Sequence, residues 1–379
     1  MTQPQPIRVA VARDREAWNS YVAAAGGSVL QSWQWAEFKR RQGWRVVRLV
    51  ALRDGSPVAA IQVLVRSAPF LGAFFYAAEG PVLAPDAWRG DPAGLAALLK
   101  EVRRRGRVAG ALVLRVDPLI DAGGAPARLA GLGFERSPSD VQPAATAVVD
   151  LDKTEEQLWR ALARDARYRI GRARREGVVL RPGTDADVDA FADMLADTGK
   201  RKGFGVRGAS YVYDLTAMLR DRDSGAFLIA MQGDEAVGAT IVTTFGQRAA
   251  SLYTASNAQG RTVGAQHVLH WEAMLEAKRA GCAMYDFRGV ATTGDASGHW
   301  SGLTFFKQRF GTRHEDLAGA WDDVYRPLAF RAFLQAQSAR RDLPRLLQRL
   351  RARNTPETTP PASDASTQDS PVPASSDST

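Results

Sequence analysis

The chain spells one order of elements twice, and that repetition constrains its fold more than any other feature. Residues 46–52 and 58–65 are apolar, strand-like runs joined by Arg53-Asp54-Gly55-Ser56-Pro57, a hairpin signal. Residues 226–231 and 237–245 repeat the pattern around Gln232-Gly233-Asp234-Glu235-Ala236. A third strand follows in each half, at 74–76 and 251–253, and then a helix, at 95–105 and 264–280. The second helix sets Val268, Trp271 and Leu275 on one side and stops at Gly281. Each helix leads to a strand with an acid near its end, 112–117 and 284–286. Each half closes on an aromatic-glycine element, 131–134 and 306–311. Two such rounds predict an α/β (α+β) fold with mixed sheets.

The stretch from Tyr285 to Gly311, YDFRGVATTGDASGHWSGLTFFKQRFG, carries the most chemistry. A strand-like run at 282–287 enters a loop of Gly, Thr, Ser and Asp, then a segment whose aromatics flank Lys307 and Arg309. Strand ends that open into adaptable loops often build ligand sites. The plain alternative is a surface loop and a short amphipathic helix, with Phe305, Phe306 and Phe310 in the core and Lys307 in water. Asp286, ending the strand, reads as a cap or salt-bridge partner rather than a catalytic acid.

Charge narrows the partners. Lys+Arg 50 against Asp+Glu 41 gives +9, which favours polyanions: nucleic acid, nucleotide substrates or an anionic membrane surface. The single cysteine, Cys282, lies in an apolar run and reads as a buried thiol. His267, His270, His299 and His314 make no metal-ligand pattern. The N-terminus lacks a signal-peptide core, and the longest apolar run, 69–78, is about half of a spanning helix. A cytoplasmic, soluble protein is expected, with residues 354–379 a disordered Ser/Thr/Pro/Asp/Ala tail.

The order of elements is similar to that of acetyl-CoA-dependent N-acetyltransferases, the GNAT-like fold, in tandem. That fold normally cradles a pyrophosphate in a Q/R-x-x-G-x-G/A loop. Here the place reads Arg261-Thr262-Val263-Gly264-Ala265-Gln266, without the last small residue, so a different acyl donor is expected.

Five segments, in order, resemble the FemABX family of aminoacyl-tRNA-dependent transferases that build peptidoglycan interpeptide bridges. They are LQSWQWAEFK at 30–39, YAAEGPV at 76–82, RYRIGRARREGV at 167–178, residues 204–211, and 285–311. The resemblance implies two GNAT-like domains, 1–146 and 147–319, with 320–352 packing back on the first. It implies transfer of an amino acid of the Gly, Ala or Ser class from aminoacyl-tRNA to a stem-peptide amine. The acceptor would be UDP-MurNAc-pentapeptide or a lipid-linked precursor, with peripheral contact to an anionic membrane, and neither cofactor nor metal. The interval from Tyr211 to Ala226 is too short for the coiled-coil arm of some members, which leans towards the soluble precursor.

By the same resemblance, Lys39, Arg207 and Tyr211 match positions gripping the acceptor's phosphates, and Tyr76 and Tyr253 positions orienting its peptide. Arg207 and Tyr211 would share a face if helical. The pair Phe306-Lys307 matches the end of the tRNA acceptor arm, Lys307 stabilising the developing oxyanion. Arginines 160, 164, 167, 169, 172, 174 and 175 read as a helical track for tRNA phosphate or lipid head groups, or as a solvated face; 103–107 and 340–353 add basic surface. Two further functions stay open: an acetyl-CoA-dependent N-acyltransferase and a non-catalytic basic RNA-binding module.

Overall fold

The structure, a computed structural model, describes residues 6–68, 72–203, 205–220, 224–295 and 300–336. The expected tail, the arginines of 340–353, segment 337–352, Phe204 and the loop at 296–299 lie outside the described residues. Residues 331–379 separate as a unit of their own, of which 331–336 are described, as helix.

In chain order the first half holds β1 (Arg8–Val11), α1 (Arg15–Ala24), α2 (Trp33–Arg41), β2 (Arg45–Arg53), β3 (Ser56–Ala68), β4 (Gly72–Ala77), α3 (Ala93–Val108), β5 (Ala111–Val116), α4 (Ala125–Gly131) and β6 (Glu135–Arg136). The second holds β7 (Ala145–Asp150), α5 (Glu155–Ala161), α6 (Arg164–Arg175), β8 (Val178–Pro182), α7 (Val188–Lys202), α8 (Ala209–Arg220), β9 (Gly225–Gln232), β10 (Glu235–Phe245), β11 (Arg248–Ser256), α9 (Ala258–Val263), α10 (Ala265–Arg279), β12 (Met284–Gly289), α11 (Ser301–Gln308) and β13 (Arg313–Asp316). The strand β14 (Trp321–Val324) then crosses back.

Two seven-stranded mixed sheets result, ordered β1-β2-β3-β4-β5-β14-β6 and β13-β7-β12-β11-β10-β9-β8. In each, a meander of three antiparallel strands meets a parallel neighbour, β4 with β5 and β11 with β12, across helices α3 and α9–α10. This is the doubled GNAT-like architecture expected from the repeat.

Local chemistry explains the elements. The β2–β3 turn puts Asp54 (φ 52°) and Gly55 (φ 77°) in the left-handed region, the conformation of a two-residue hairpin that suits Asp-Gly. Asp14 and Ser32 cap α1 and α2, accepting from Ala17 N and Trp35 N. Strand β3 is buried on both faces: Ala59, Ile61, Val63 and Val65 face α3, while Ala60 and Leu64 join a core shared by both halves. Phe191, Tyr211, Phe227, Ile241 and Ala255 supply the second half's share of it.

Gln62 lies on that shared face with no exposed surface, and Gln31 joins it. Gln31 Nε2 donates to Gln62 O (3.2 Å) and Ala78 O (2.7 Å), and Gln62 N donates to Gln31 Oε1 (2.8 Å). A Cβ on Gly80 would fall 2.6 Å from Gln31 Nε2, so this amide and that glycine require each other. The motifs at 30–39 and 76–82 therefore meet, and the loop after β4 is pinned.

The arginine track differs from the single helix expected. Leu162 is extended (ψ 140°) and breaks it into α5 and α6. Arg160 pairs with Glu156 on α5, and Arg167 NH1 turns back to the carbonyls of Arg160 and Leu162, satisfying the end of that helix. Arg172 and Arg174 pair with Glu176 and Glu272. Arg164, Arg169 and Arg175 remain exposed without an ion pair among the described residues.

Candidate active site

Lys307 sits on α11, a helix of eight residues that keeps the plain alternative's amphipathic form and its buried Phe310 but reverses it at Phe305 and Lys307. Phe305 is 57% exposed while Lys307 is 7% exposed. The helix turns Phe306 and Phe310 toward the rings of His267 and His270, from 4.9 to 6.0 Å, and carries the intervening lysine inward with them. Lys307 Nζ donates to Arg288 O (3.0 Å) and Gly289 O (2.6 Å). An ammonium has three donors, so one remains. Burial pushes its pKa down to about 7, with Asp286 opposing and the Arg288 guanidinium reinforcing the shift. Trp300 flanks the spot: a Cβ on Gly289 would lie 2.6 Å from its indole.

The two accepting carbonyls come from an irregular strand end. The pairing of β12 with β7 slips between Asp286 and Gly289, and Arg288 takes φ 59°. Asp286 acts as a structural acid: it accepts from Arg288 N (2.6 Å), Arg248 NH1 (2.7 Å) and Thr146 Oγ1. The Arg288 guanidinium reaches the first half, donating to Glu79 Oε1 (2.7 Å) and Gln142 Oε1 (2.7 Å). Glu79 also has a left-handed backbone, φ 53°. Such residues cost on the order of 1–3 kcal/mol each and persist where surroundings over-determine them.

Tyr76 belongs to this network. Its hydroxyl donates to Asp117 Oδ2 (2.8 Å) and accepts from Gln142 Nε2 (3.0 Å), while Glu79 N donates to Asp117 Oδ1 (2.7 Å). Burial raises the Asp117 carboxyl to about 7, against the hydrogen bonds it receives. A continuous polar path thus runs from Tyr76 through Gln142 and Arg288 to Lys307.

Lys39, Arg207, Tyr211 and Tyr253 come together elsewhere, where α2 meets α8 and β11. Lys39 Nζ lies 4.8–5.0 Å from the ring centroids of Trp35, Phe38 and Tyr211 and donates to Tyr211 OH (3.3 Å). Arg207 stands 5.3 Å over the Tyr211 ring, which meets Tyr253 edge-on at 6.3 Å. The helix begins at Ala209, so Arg207 precedes it and does not share a helical face with Tyr211. Neither cation has an acidic partner among the described residues. Burial, then Arg207 and Arg66, push Lys39 down to about 8. Two unpaired, mutually repelling cations over aromatic rings suit an anionic ligand.

Phe306 packs half-buried among rings, and Tyr76 shares a core cluster with Trp35, Phe38 and Tyr211 while its hydroxyl is held by Asp117 and Gln142. Sequence reasoning missed Arg288 and Gln142 and passed over Glu79 inside its own motif; the signal was an arginine between an apolar strand and a glycine. The Arg261–Gln266 segment is no open loop. Residues 258–263 are helical, and Gly264 N donates to Gly260 O (3.0 Å). Among the described residues, no helix is long and apolar enough to cross a membrane.

A family model described as the FemAB family matches residues 14–123, 127–231 and 215–338. Relatives named Lipid II:glycine glycyltransferase are similar along most of their length. That of Staphylococcus haemolyticus (strain JCSC1435) is 24% identical over 380 residues, covering 80% of this chain and 89% of that protein. That of Staphylococcus aureus (strain USA300) is 23% identical over 377 residues, covering 79% and 88%. Among solved structures, FemX superposes with a TM-score of 0.76 at 19% identity, covering 86% of this chain and 99% of its own. A tandem GNAT protein from the clavulanic acid biosynthesis pathway superposes at 0.55 and 15% identity, covering 84% and 98%.

Proposed function

This chain belongs to the FemAB family, and on that premise we propose that it moves an amino acid from aminoacyl-tRNA to the stem-peptide amine of a peptidoglycan precursor. The acceptor nitrogen attacks the ester carbonyl carbon; the C–N bond forms, the bond to the ribose oxygen breaks, and the amine's proton ends on the ribose hydroxyl. Such aminolysis needs positioning and a donor for the transient oxyanion, and no nucleophile from the enzyme.

The observation that carries this reading is Lys307: a buried amine held by two carbonyls, with one donor left in its protonated form. A fixed cation in a site poor in water is worth most where negative charge develops. Lys39 and Arg207 are given the acceptor's diphosphate, and Tyr211 and Tyr253 groups beside it. Tyr76 is given the acceptor peptide, and Phe306 the tRNA end beside Lys307. The sequence leaned towards a soluble UDP-linked acceptor, whereas relatives named for lipid II favour the lipid-linked form.

A peripheral contact with anionic lipid fits the exposed side of α11 and α6. Leu303, Phe305 and Tyr168 are exposed there with Arg164 and Arg169, and Ala163 N donates to Arg309 O (2.8 Å), tying the two helices together.

The test supplies pure protein with single charged tRNAs and either UDP-MurNAc-pentapeptide or lipid II, and weighs the products by mass spectrometry. A product heavier by one amino-acid residue is expected. Acetylated product from acetyl-CoA, or RNA binding with no peptide product, would refute the proposal.

A further inference from the structure

Three residues other than glycine have left-handed backbones among the described residues: Asp54, Glu79 and Arg288. Asp54 is explained by its hairpin turn. The other two are bonded to each other, one from each half of the chain, through a 2.7 Å ion pair between side chains 4% and 13% exposed. Unrelated strain would not pair in this way.

The pair lies behind Lys307. Because Arg288 turns left-handed at the slip in β12, its own carbonyl and that of Gly289 converge on one Nζ. An arginine relaxes out of that conformation unless held. Here its amide is held by Asp286, and its guanidinium by Glu79 and Gln142. Gln142 holds the Tyr76 hydroxyl in turn, and Asp117 anchors both Tyr76 and the Glu79 amide.

We propose that the Glu79–Arg288 pair is a positioning device for the reaction: it fixes the carbonyls that aim the Lys307 ammonium and ties that aim to the Tyr76 side of the first half. Arg288 and Glu79 touch neither reactant in this scheme and act through Lys307. The proposal rests on the role given to Lys307 above.

The charges facing Lys307 are few. Strand β12 presents Asp286 and Arg288, and α10 presents His270 and, behind it, His267. Burial holds both imidazoles neutral, near 3 and near 4. Strand β7 presents Thr146 to Asp286. Asp286 and Arg288 thus set the field on Lys307 in opposite senses, and Glu79 tempers the Arg288 charge with which it is paired.

The test measures kcat and acceptor KM against pH for the wild type, Glu79→Gln, Arg288→Asn, Arg288→Lys and Lys307→Ala, with circular dichroism to confirm folding. Asparagine tolerates the left-handed backbone, and glutamine keeps the shape of glutamate. Both Glu79→Gln and Arg288→Asn should lower kcat by roughly tenfold or more, with acceptor KM little changed. Their descending pH limbs should move apart. Losing the Arg288 cation lets Lys307 hold its proton to higher pH; losing the Glu79 countercharge makes it surrender the proton at lower pH. Arg288→Lys keeps a cation but not the fork to two acceptors, so kcat falls while the limb stays near the wild-type position. A merely structural pair would move neither limb, or both alike. That result, with Lys307→Ala inactive, would overturn the proposal and leave Lys307 in place. Normal turnover by Lys307→Ala would instead remove the reading beneath it.

Discussion

Replacing Lys307 by alanine tests the chemistry at its centre. Two of the three ammonium donors are committed to Arg288 O and Gly289 O, so the substitution removes a single donor from the reacting carbonyl. Loss of one preorganised oxyanion donor costs on the order of 3–4 kcal/mol, so single-turnover transfer should slow by about a hundredfold or more. Stability behaves differently. Moving the amine from 10.5 to about 7 means that charging it in the fold costs about 4–5 kcal/mol. Removing the side chain releases that penalty but leaves two carbonyls without their donor, at roughly 1–3 kcal/mol each. The buried methylene stem is lost as well and leaves a cavity, so the variant should melt somewhat lower while turnover collapses. Lys307→Arg keeps charge in a different shape and should recover part of the rate. Rapid-quench assays with charged tRNA, beside thermal melts, decide the matter. Full single-turnover activity in Lys307→Ala, or a large loss of stability with normal turnover, would refute the reasoning.

Arg207→Ala should weaken acceptor binding by on the order of 1.5–3 kcal/mol, roughly tenfold to 150-fold, as measured by calorimetry; unchanged affinity in a folded variant removes Arg207 from the site. With Lys39 brought down to about 8, its charge is full below that pH and lost as pH rises through it, so acceptor affinity should fall there. In Lys39→Met that inflection should vanish, and its persistence would assign it to another group. Phe305→Ser should weaken co-sedimentation with phosphatidylglycerol vesicles while leaving transfer to the soluble acceptor intact; undiminished sedimentation would point to a different face. Gly80→Ala should lower the melting temperature, since its methyl displaces the Gln31 amide from Gln62 and Ala78.

What the sequence made legible was local chemistry. Asp54-Gly55 and Gly233-Asp234 announce their hairpins, because few residues accept such turns, and the apolar run of β3 announces a strand. The cluster of Lys39, Arg207, Tyr211 and Tyr253, proposed to hold the acceptor, was reached through motif resemblance, and the structure brings these four together. The helix break at Leu162 was not legible, because no glycine or proline marks it; the chain is bent by tertiary packing and by Arg167 turning back on α5. Nor was the Glu79–Arg288 pair. Each residue looks like an ordinary surface charge in its own segment, and their meeting depends on how two sheets face one another, which no local pattern encodes.

The strand β14 has a consequence for the order in which the molecule can be assembled. It lies between β5 and β6, pairing with both, and its Asp322 makes a buried bidentate pair with Arg115, the two oxygens each 2.7 Å from their nitrogens. Those partners are 207 residues apart. A chain emerging from the ribosome therefore presents β5 as an open edge, and Arg115 without its countercharge, until all of the second sheet has been synthesised. Open edges recruit other strands, and translation at about 5–20 residues per second leaves that one unpaired for some ten seconds or more. The nascent first half is the point at which this protein is most exposed to misassociation and to chaperone capture, and a ribosome stalled just short of codon 321 would release a chain with its second sheet complete and its first sheet unsealed.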